Sequence, residues 1–152
     1  MKIQFLLNGM SVQAEIEADK LLIDLLREKG CYSVKRGCET ANCGLCTVWL
    51  DEKPILSCST LAARVHKRSV ITLECLQEEA QRFGRFLAEE GAEQCGFCSP
   101  GFIMTVLAME KELVNPSEAE ILEYLTGNLC RCTGYVGQLR AIKKYLSRKD
   151  GR

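Results

Sequence analysis

The chain has 152 residues, with 20 Lys and Arg against 20 Asp and Glu, one His, 47% hydrophobic residues and ten cysteines. This composition excludes a disordered tail, a collagen-like chain and a low-complexity linker. The balanced charge argues against binding to nucleic acid or to an anionic membrane, and no apolar run approaches the roughly 20 residues of a membrane span.

The first 30 residues predict a hairpin followed by a helix. Apolar residues alternate with polar ones on both sides of Asn8-Gly9, a dipeptide that suits a two-residue hairpin turn. Asp19 is expected to cap a helix whose apolar face includes Leu22, Leu25 and Leu26, and Gly30 is expected to end that helix.

Periodicity then disappears over residues 31–46, where glycines and cysteines predict an irregular loop wrapped around a ligand. Order resumes with a strand over 47–50, an extended segment over 55–58, a helical turn over 61–65 and a strand over 70–73. Strands around one helix predict a β-grasp, ferredoxin-like unit, so the fold class is α+β.

The second half predicts four helices and no strands. The first starts near Gln77, Ser99-Pro100 is expected to cap and start the second, and Ser117 with Glu120 is a capping-box signature for the third. We therefore place a domain boundary after residue 76, with the ferredoxin-like domain over 1–76 and a helical-bundle domain over 77–152. The basic residues of the last helix are expected to form a solvated face rather than to meet an acidic partner: Arg140, Lys143, Lys144, Arg148 and Lys149.

Eight cysteines form two sets, one in each half. Cys38-x4-Cys43-x2-Cys46, followed after eleven residues by Cys58, has the spacing of plant-type ferredoxin ligands for a 2Fe-2S cluster. Structural zinc is the alternative at this set, although zinc sites do not usually need the x4 spacing.

The second set is Cys95-x2-Cys98, then 31 residues, then Cys130-x-Cys132, with each pair just before a predicted helix. By spacing alone this set leaves zinc and an iron–sulfur cluster open. We expect the nearby helix N-termini to lower the thiol pKa values and so to favour metal binding.

We assign no chemical role to the two cysteines outside these sets or to the single histidine. Cys31 and Cys75 are expected to be small buried residues, as free cysteines usually are. The single His66 is expected at the surface, and no nucleotide-binding or hydrolase motif is present.

Three segments resemble the small iron–sulfur subunit of the molybdenum hydroxylases, the xanthine dehydrogenase and aldehyde oxidase family. SVKRGCETANCGLCTV is similar to its N-terminal cluster loop, and EQCGFCSPGFIM and GNLCRCTGY are similar to its C-terminal cysteine pairs. Two positions depart from the family pattern: Ala41 replaces the usual Gly, and Leu45 replaces a small Ala.

The resemblance implies two 2Fe-2S clusters. Cys38, Cys43, Cys46 and Cys58 would hold the cluster distal to molybdenum, and Cys95, Cys98, Cys130 and Cys132 would hold the proximal one. Gln94 matches the family glutamine that hydrogen-bonds the molybdopterin, and Cys132 would lie near the pterin, where electrons enter.

The resemblance also implies partners. We expect a large molybdopterin-binding subunit, with the cofactor in its cytosine dinucleotide form, an FAD-binding medium subunit, and a dimer of heterotrimers. The chain would then be the non-catalytic electron-transfer subunit of a xanthine dehydrogenase-like oxidoreductase, relaying electrons to the flavin or to an external acceptor.

Two other functions stay open at this stage: a free-standing two-cluster ferredoxin and a zinc-stapled interaction module. The N-terminus lacks the apolar core of a secretory signal. We therefore expect a cytoplasmic location, where cysteines serve metal or redox chemistry more often than disulfides.

Overall fold

The computed structural model describes residues 1–148, and it confirms a mixed α+β chain. The strands are β1 (Lys2–Leu7), β2 (Met10–Glu15), β3 (Thr47–Leu50), β4 (Lys53–Leu56) and β5 (Ser69–Ile71). The α-helices are α1 (Leu22–Glu28), α2 (Gln77–Glu89), α3 (Ser99–Glu112), α4 (Glu118–Tyr124) and α5 (Val136–Ser147). Over these residues, no helix combines the length and apolarity that crossing a membrane requires.

The five strands form one sheet in the order β2-β1-β5-β3-β4. β1 pairs antiparallel with β2 and parallel with β5, and β3 pairs antiparallel with β5 and β4. The predicted hairpin turn is confirmed, because Asn8 and Gly9 both have positive φ, 53° and 81°. The Asn8 side chain accepts the Thr72 N–H at 2.8 Å, which ties this turn to the end of β5.

The predicted cap of α1 is wrong. Leu21, not Asp19, is the N-cap residue, and no side chain caps the helix. Leu21 pairs in an isolated bridge with Leu61, and the Leu22 N–H donates to the Thr60 carbonyl at 2.8 Å. The neighbouring segment thus satisfies an amide that a capping side chain would otherwise serve.

The predicted end of α1 is confirmed. Gly30 has a φ of +88°, and the next N–H, of Cys31, returns to the Leu26 carbonyl at 3.0 Å. This closure directs the chain into the cysteine-bearing loop.

Strand β3 separates two hydrophobic cores. All four of its residues are buried. Val48 and Leu50 join the core under α1, whereas Trp49 joins the core of the helical half, with Phe83 and Met104 among its members. A strand covered on both faces explains why Val48, Trp49 and Leu50 are consecutive apolar residues rather than alternating with polar ones.

The predicted start of α3 is right but its predicted cap is wrong, whereas the predicted start of α4 is confirmed. Ser99 begins α3 as expected, but the N-cap is Cys98, and the Ser99 hydroxyl donates to Glu93 Oε1 at 2.7 Å instead of capping. The Ser117–Glu120 capping box of α4 is confirmed, with the Ser117 N–H donating to Glu120 Oε2 at 2.7 Å.

The basic side chains of α5 and of the residue after it form ion pairs with carboxylates of the same chain. Arg140 and Lys144 both pair with Glu90, the first at 2.6 Å, and Lys143 pairs with Glu118 at 2.7 Å. Arg148 pairs with Glu110 of α3. Lys149 lies outside the described residues. These pairs leave the acidic-partner alternative without support.

Candidate metal centres

The first cysteine set lies where the loop between α1 and β3 meets the turn after β4. Cys38, Cys43 and Cys46 belong to the loop, and Cys58 comes from the short 3₁₀ turn Ser57–Ser59. Ser57 joins the two segments, since its N–H and its hydroxyl both donate to the Cys46 carbonyl, at 3.2 and 2.7 Å. The structure therefore brings the four predicted residues together.

The electrostatic surroundings of these thiols differ. The Thr40 and Asn42 N–H groups, with smaller contributions from Cys43, lower the pKa of the Cys38 thiol to about 6. Burial, together with the neighbouring Cys46 thiol, raises the pKa of Cys58 to about 12. Because thiolates are the metal-binding form, loading this set would release protons and would be favoured as the pH rises.

The second set lies where two loops of the helical half face each other. Cys95 and Cys98 precede α3, and Cys130 and Cys132 precede α5. Cys95 and Cys132 are exposed and their sulfurs are 3.6 Å apart, whereas Cys98 and Cys130 are half-buried. One edge of this centre is therefore open to a partner.

The expected effect of helix N-termini on thiol acidity is wrong for Cys98. Burial, followed by the Cys130 thiol, raises the pKa of Cys98 to about 12, although this residue is the N-cap of α3. Burial also acts to raise the pKa of Cys130, but the hydroxyl and N–H of Thr133 and the N–H of Cys132 outweigh it and lower the value to about 7. Local desolvation and hydrogen bonding thus decide these values.

In both sets the thiols influence one another. The sulfurs of Cys95 and Cys132 lie 3.6 Å apart, and the Cys46 thiol acts to raise the pKa of Cys58 as the Cys130 thiol does that of Cys98. Within residues 1–148, no three Cys, His, Asp or Glu side chains meet closely enough to hold one metal ion. Structural zinc needs four ligands around a single ion, whereas a two-iron cluster takes two thiolates on each iron. Four cysteines in each set match the ligand number of a 2Fe-2S cluster.

The two sets lie close together. The Leu129 N–H donates to the Cys43 carbonyl at 2.9 Å, and Leu129 directly precedes Cys130. Cysteines of both sets also line one cavity of about 380 Å³. The cavity residues from the two sets are Cys38, Cys43, Cys95, Cys98, Cys130 and Cys132.

Glycines make this close approach sterically feasible. Gly44 has a φ of +74°, and a Cβ there would lie 2.3 Å from the Gly127 carbonyl oxygen. A Cβ on Gly101, in the first turn of α3, would lie 2.2 Å from the Gly44 oxygen. Gly44 therefore admits the loop of the other half.

The remaining sequence candidates are located as follows. Gln94 is exposed, and its Nε2 donates to the Cys132 carbonyl at 3.1 Å. Cys31 is buried as predicted, but the prediction for Cys75 is wrong, because its short 3₁₀ turn leaves it exposed. His66 is exposed as predicted, and its Nδ1 accepts the Gln4 N–H at 3.1 Å.

Sequence reasoning missed two residues that act on the second set. The Thr133 hydroxyl donates to Cys130 Sγ at 3.2 Å, and the Tyr135 hydroxyl accepts the Cys130 N–H at 3.0 Å. The signal for Thr133 was present, as a hydroxyl residue directly after a ligand. No local pattern indicates that Tyr135 turns back on its own loop.

Two family models cover most of the chain. A 2Fe-2S iron-sulfur cluster binding domain matches residues 5–76, and a [2Fe-2S] binding domain matches residues 72–143. The chain is 40% identical over 142 residues to the nicotinate dehydrogenase small FeS subunit of Eubacterium barkeri, covering 91% of this chain and 90% of that one.

It is also 43% identical over 140 residues to the xanthine dehydrogenase iron-sulfur-binding subunit of Escherichia coli O157:H7, with 88% and 86% of the two chains covered. The chain belongs to the small iron–sulfur subunits of the molybdenum hydroxylases. A chain of the solved quinoline 2-oxidoreductase from Pseudomonas putida 86 superimposes on it with a TM-score of 0.86 at 36% identity, over 96% of this chain and 93% of that one. As an iron–sulfur subunit of this family, the protein transfers electrons and leaves substrate chemistry to another subunit.

Proposed function

We propose that this subunit carries electrons singly from a molybdopterin centre in a large partner subunit through two 2Fe-2S clusters. The proximal cluster would be held by Cys95, Cys98, Cys130 and Cys132. The distal cluster would be held by Cys38, Cys43, Cys46 and Cys58. The clusters supply one-electron redox chemistry, and the chain fixes their separation and surroundings.

The observation that carries this proposal is the junction between the two cysteine sets. One hydrogen bond, from the Leu129 N–H to the Cys43 carbonyl, connects a residue of the first set to the neighbour of Cys130 in the second. A carrier that passes electrons between two centres needs them near each other in a fixed geometry. The buried glycine contacts supply that rigidity.

The exposed edge of the second set supports docking of the large subunit there. Cys132 and Gln94 are both exposed, and exposed apolar side chains line the same cavity as Cys132 or adjoin that lining in the chain, which is typical of a surface that a partner covers. Those apolar residues and their exposed fractions are Phe97 (52%), Leu129 (49%), Tyr135 (45%) and Val136 (62%). Gln94 would then contact the molybdopterin, and Cys132 would mark the electron entry.

The finer organisation belongs to the same proposal. We infer a β-grasp domain over 1–76 and a four-helix-bundle domain over 77–152. We also infer an FAD-binding medium subunit, a dimer of heterotrimers and the cytosine dinucleotide form of molybdopterin. Named relatives act as nicotinate and xanthine dehydrogenases, which supports a nitrogen heterocycle, with purines first, as the substrate of the large subunit. Thiol ligands need a reducing compartment, which supports the cytoplasm.

Purification of the native complex through a tag on this chain tests the proposal. We expect about four iron and four acid-labile sulfides per chain, a co-purifying molybdenum subunit, and anaerobic bleaching of both clusters when xanthine is added. Zinc without sulfide would overturn the cluster assignment. Full iron with no molybdenum subunit would make the protein a free-standing ferredoxin.

A further inference from the structure

A closed ring of hydrogen bonds surrounds Cys130. The Thr133 hydroxyl donates to Cys130 Sγ at 3.2 Å, the Tyr135 N–H donates to Thr133 Oγ at 3.3 Å, and the Cys130 N–H donates to the Tyr135 hydroxyl at 3.0 Å. Thr133 and Cys130 are both half-buried. The ring therefore fixes one sulfur in a partly desolvated position.

The ring also orients the Thr133 hydroxyl. A hydroxyl has a single hydrogen, and because its oxygen accepts the Tyr135 N–H, that hydrogen is free to point at the sulfur. The backbone that allows this is unusual, since Gly134 and Tyr135 both have positive φ, +67° and +69°. A non-glycine residue in this conformation is strained, and such strain is often found where function requires a fixed geometry.

We propose that Thr133 is a positioning residue that raises the reduction potential of the second cluster through its hydrogen bond to Cys130 Sγ. The inference rests on the proposed function, because it requires a cluster on this set. Each accepted electron adds one negative charge to the cluster and its thiolates. A donor at the sulfur stabilises the more negative form more strongly, so it favours reduction.

The first set supplies an internal reference. Over residues 1–148, no side-chain hydroxyl donates to a sulfur of that set, whereas the Thr133 hydroxyl donates to Cys130 Sγ. Side-chain substitution at Thr133 should therefore move one potential and leave the other in place.

The test uses the intact complex with Thr133→Val, which keeps the shape and removes the hydroxyl, and Thr133→Ser, which keeps the hydroxyl. Dithionite titration followed by EPR gives both cluster potentials. In Thr133→Val we expect the equilibrium constant for reducing the second cluster to fall about threefold to tenfold, or about 28–59 mV for one electron, with the first cluster unchanged. Thr133→Ser should recover most of the loss.

Thr126→Val is the matched control, because the Thr126 hydroxyl bonds the Glu123 carbonyl at 2.9 Å and no cysteine; neither potential should change. If Thr133→Val does not retain its iron, Thr133→Ala, which cannot overpack the site, takes its place. An unchanged second potential with full iron, or an equal shift of both potentials, overturns the inference. Absence of a second cluster from the wild-type complex would instead overturn the proposed function.

Discussion

At the scale of single residues, the loop of the first cysteine set contains a backbone conformation that suits glycine but is occupied by alanine. Ala41 has a φ of +55°. Ala41 lies between Thr40 and Asn42, whose N–H groups lower the pKa of the Cys38 thiol. The loop therefore requires the left-handed backbone conformation at residue 41, which sets the positions of these amides, and not the alanine side chain.

We expect Ala41→Gly to stabilise the loaded protein by about 0.5–1 kcal/mol, because relief of left-handed strain exceeds the entropy gained by the unfolded chain. The measurement is the urea midpoint of cluster loss, followed by visible absorbance. Ala88→Gly, at an exposed position of helix α2, is the control and should be destabilising by a similar amount. Equal effects of the two substitutions would contradict the strain argument.

A second residue, Leu45, shows how a bulky side chain is accommodated in this loop. It is buried, and a Cβ on Gly37 would lie only 2.7 Å from its Cδ2. The absence of a side chain at Gly37 thus leaves room for Leu45 at the wall of the cavity between the two sets.

At the scale of elements, the first turn of α3 packs directly against the loop of the first cysteine set. Gly101 lies against the backbone of Gly44 and Leu45, and Gly44 in turn lies against Gly127. Contact of backbone with backbone leaves no flexible side chain to move aside. Helix α3 can therefore approach this closely only because these glycines carry a hydrogen atom in place of a side chain. Helix propensity does not explain the glycine in α3, since glycine weakens a helix.

Gly101→Ala is expected to lower the free energy of unfolding by about 1–3 kcal/mol and to reduce iron content, because its Cβ would overlap the Gly44 oxygen and the Leu45 Cα. Gly84→Ala in α2 is the matched control. Nothing lies within 4 Å of a Cβ at Gly84, so that substitution should stabilise by about 0.5–1 kcal/mol. The measurements are the thermal midpoint and the iron content of both variants. If both substitutions stabilised the protein, the close contact at Gly101 would be refuted.

At the scale of the whole molecule, the two halves share strand β3, which contributes side chains to both cores. Trp49 of β3 packs into the core of the helical half, and its Nε1–H donates to the Met104 carbonyl of α3 at 3.0 Å. Lys35, in the loop of the first set, donates to the Phe97 carbonyl in the second at 3.2 Å. Disturbing one half should therefore loosen the other.

Trp49→Phe tests this coupling. We expect a loss of about 2 kcal/mol from the missing hydrogen bond and the reduced ring volume. Hydrogen exchange should quicken in α3 around Met104 as well as in β3. Tyr32→Phe is the control, since Tyr32 is 68% exposed and its change should affect neither region. Faster exchange confined to the sheet would show that the halves are independent.

Turns and helix ends that depend on neighbouring residues could be predicted from the sequence. The Asn8-Gly9 turn, the stop at Gly30 and the Ser117 capping box each involve residues within a few positions of one another. Asp19 failed as a cap because Thr60, a distant residue, satisfies the first amide of α1. A local rule cannot include such a partner.

The sequence by itself determined which cysteines form two sets, because ligand spacing along a loop is a local property. Only the tertiary structure decided that the sulfurs of Cys95 and Cys132 lie 3.6 Å apart, that Cys75 is exposed, and that Leu129 bonds to Cys43. It also decided that Trp49 belongs to the helical core. The physical reason is that each of these features depends on which distant backbone packs against a residue, and that packing is settled by the summed burial of both cores rather than by any local pattern.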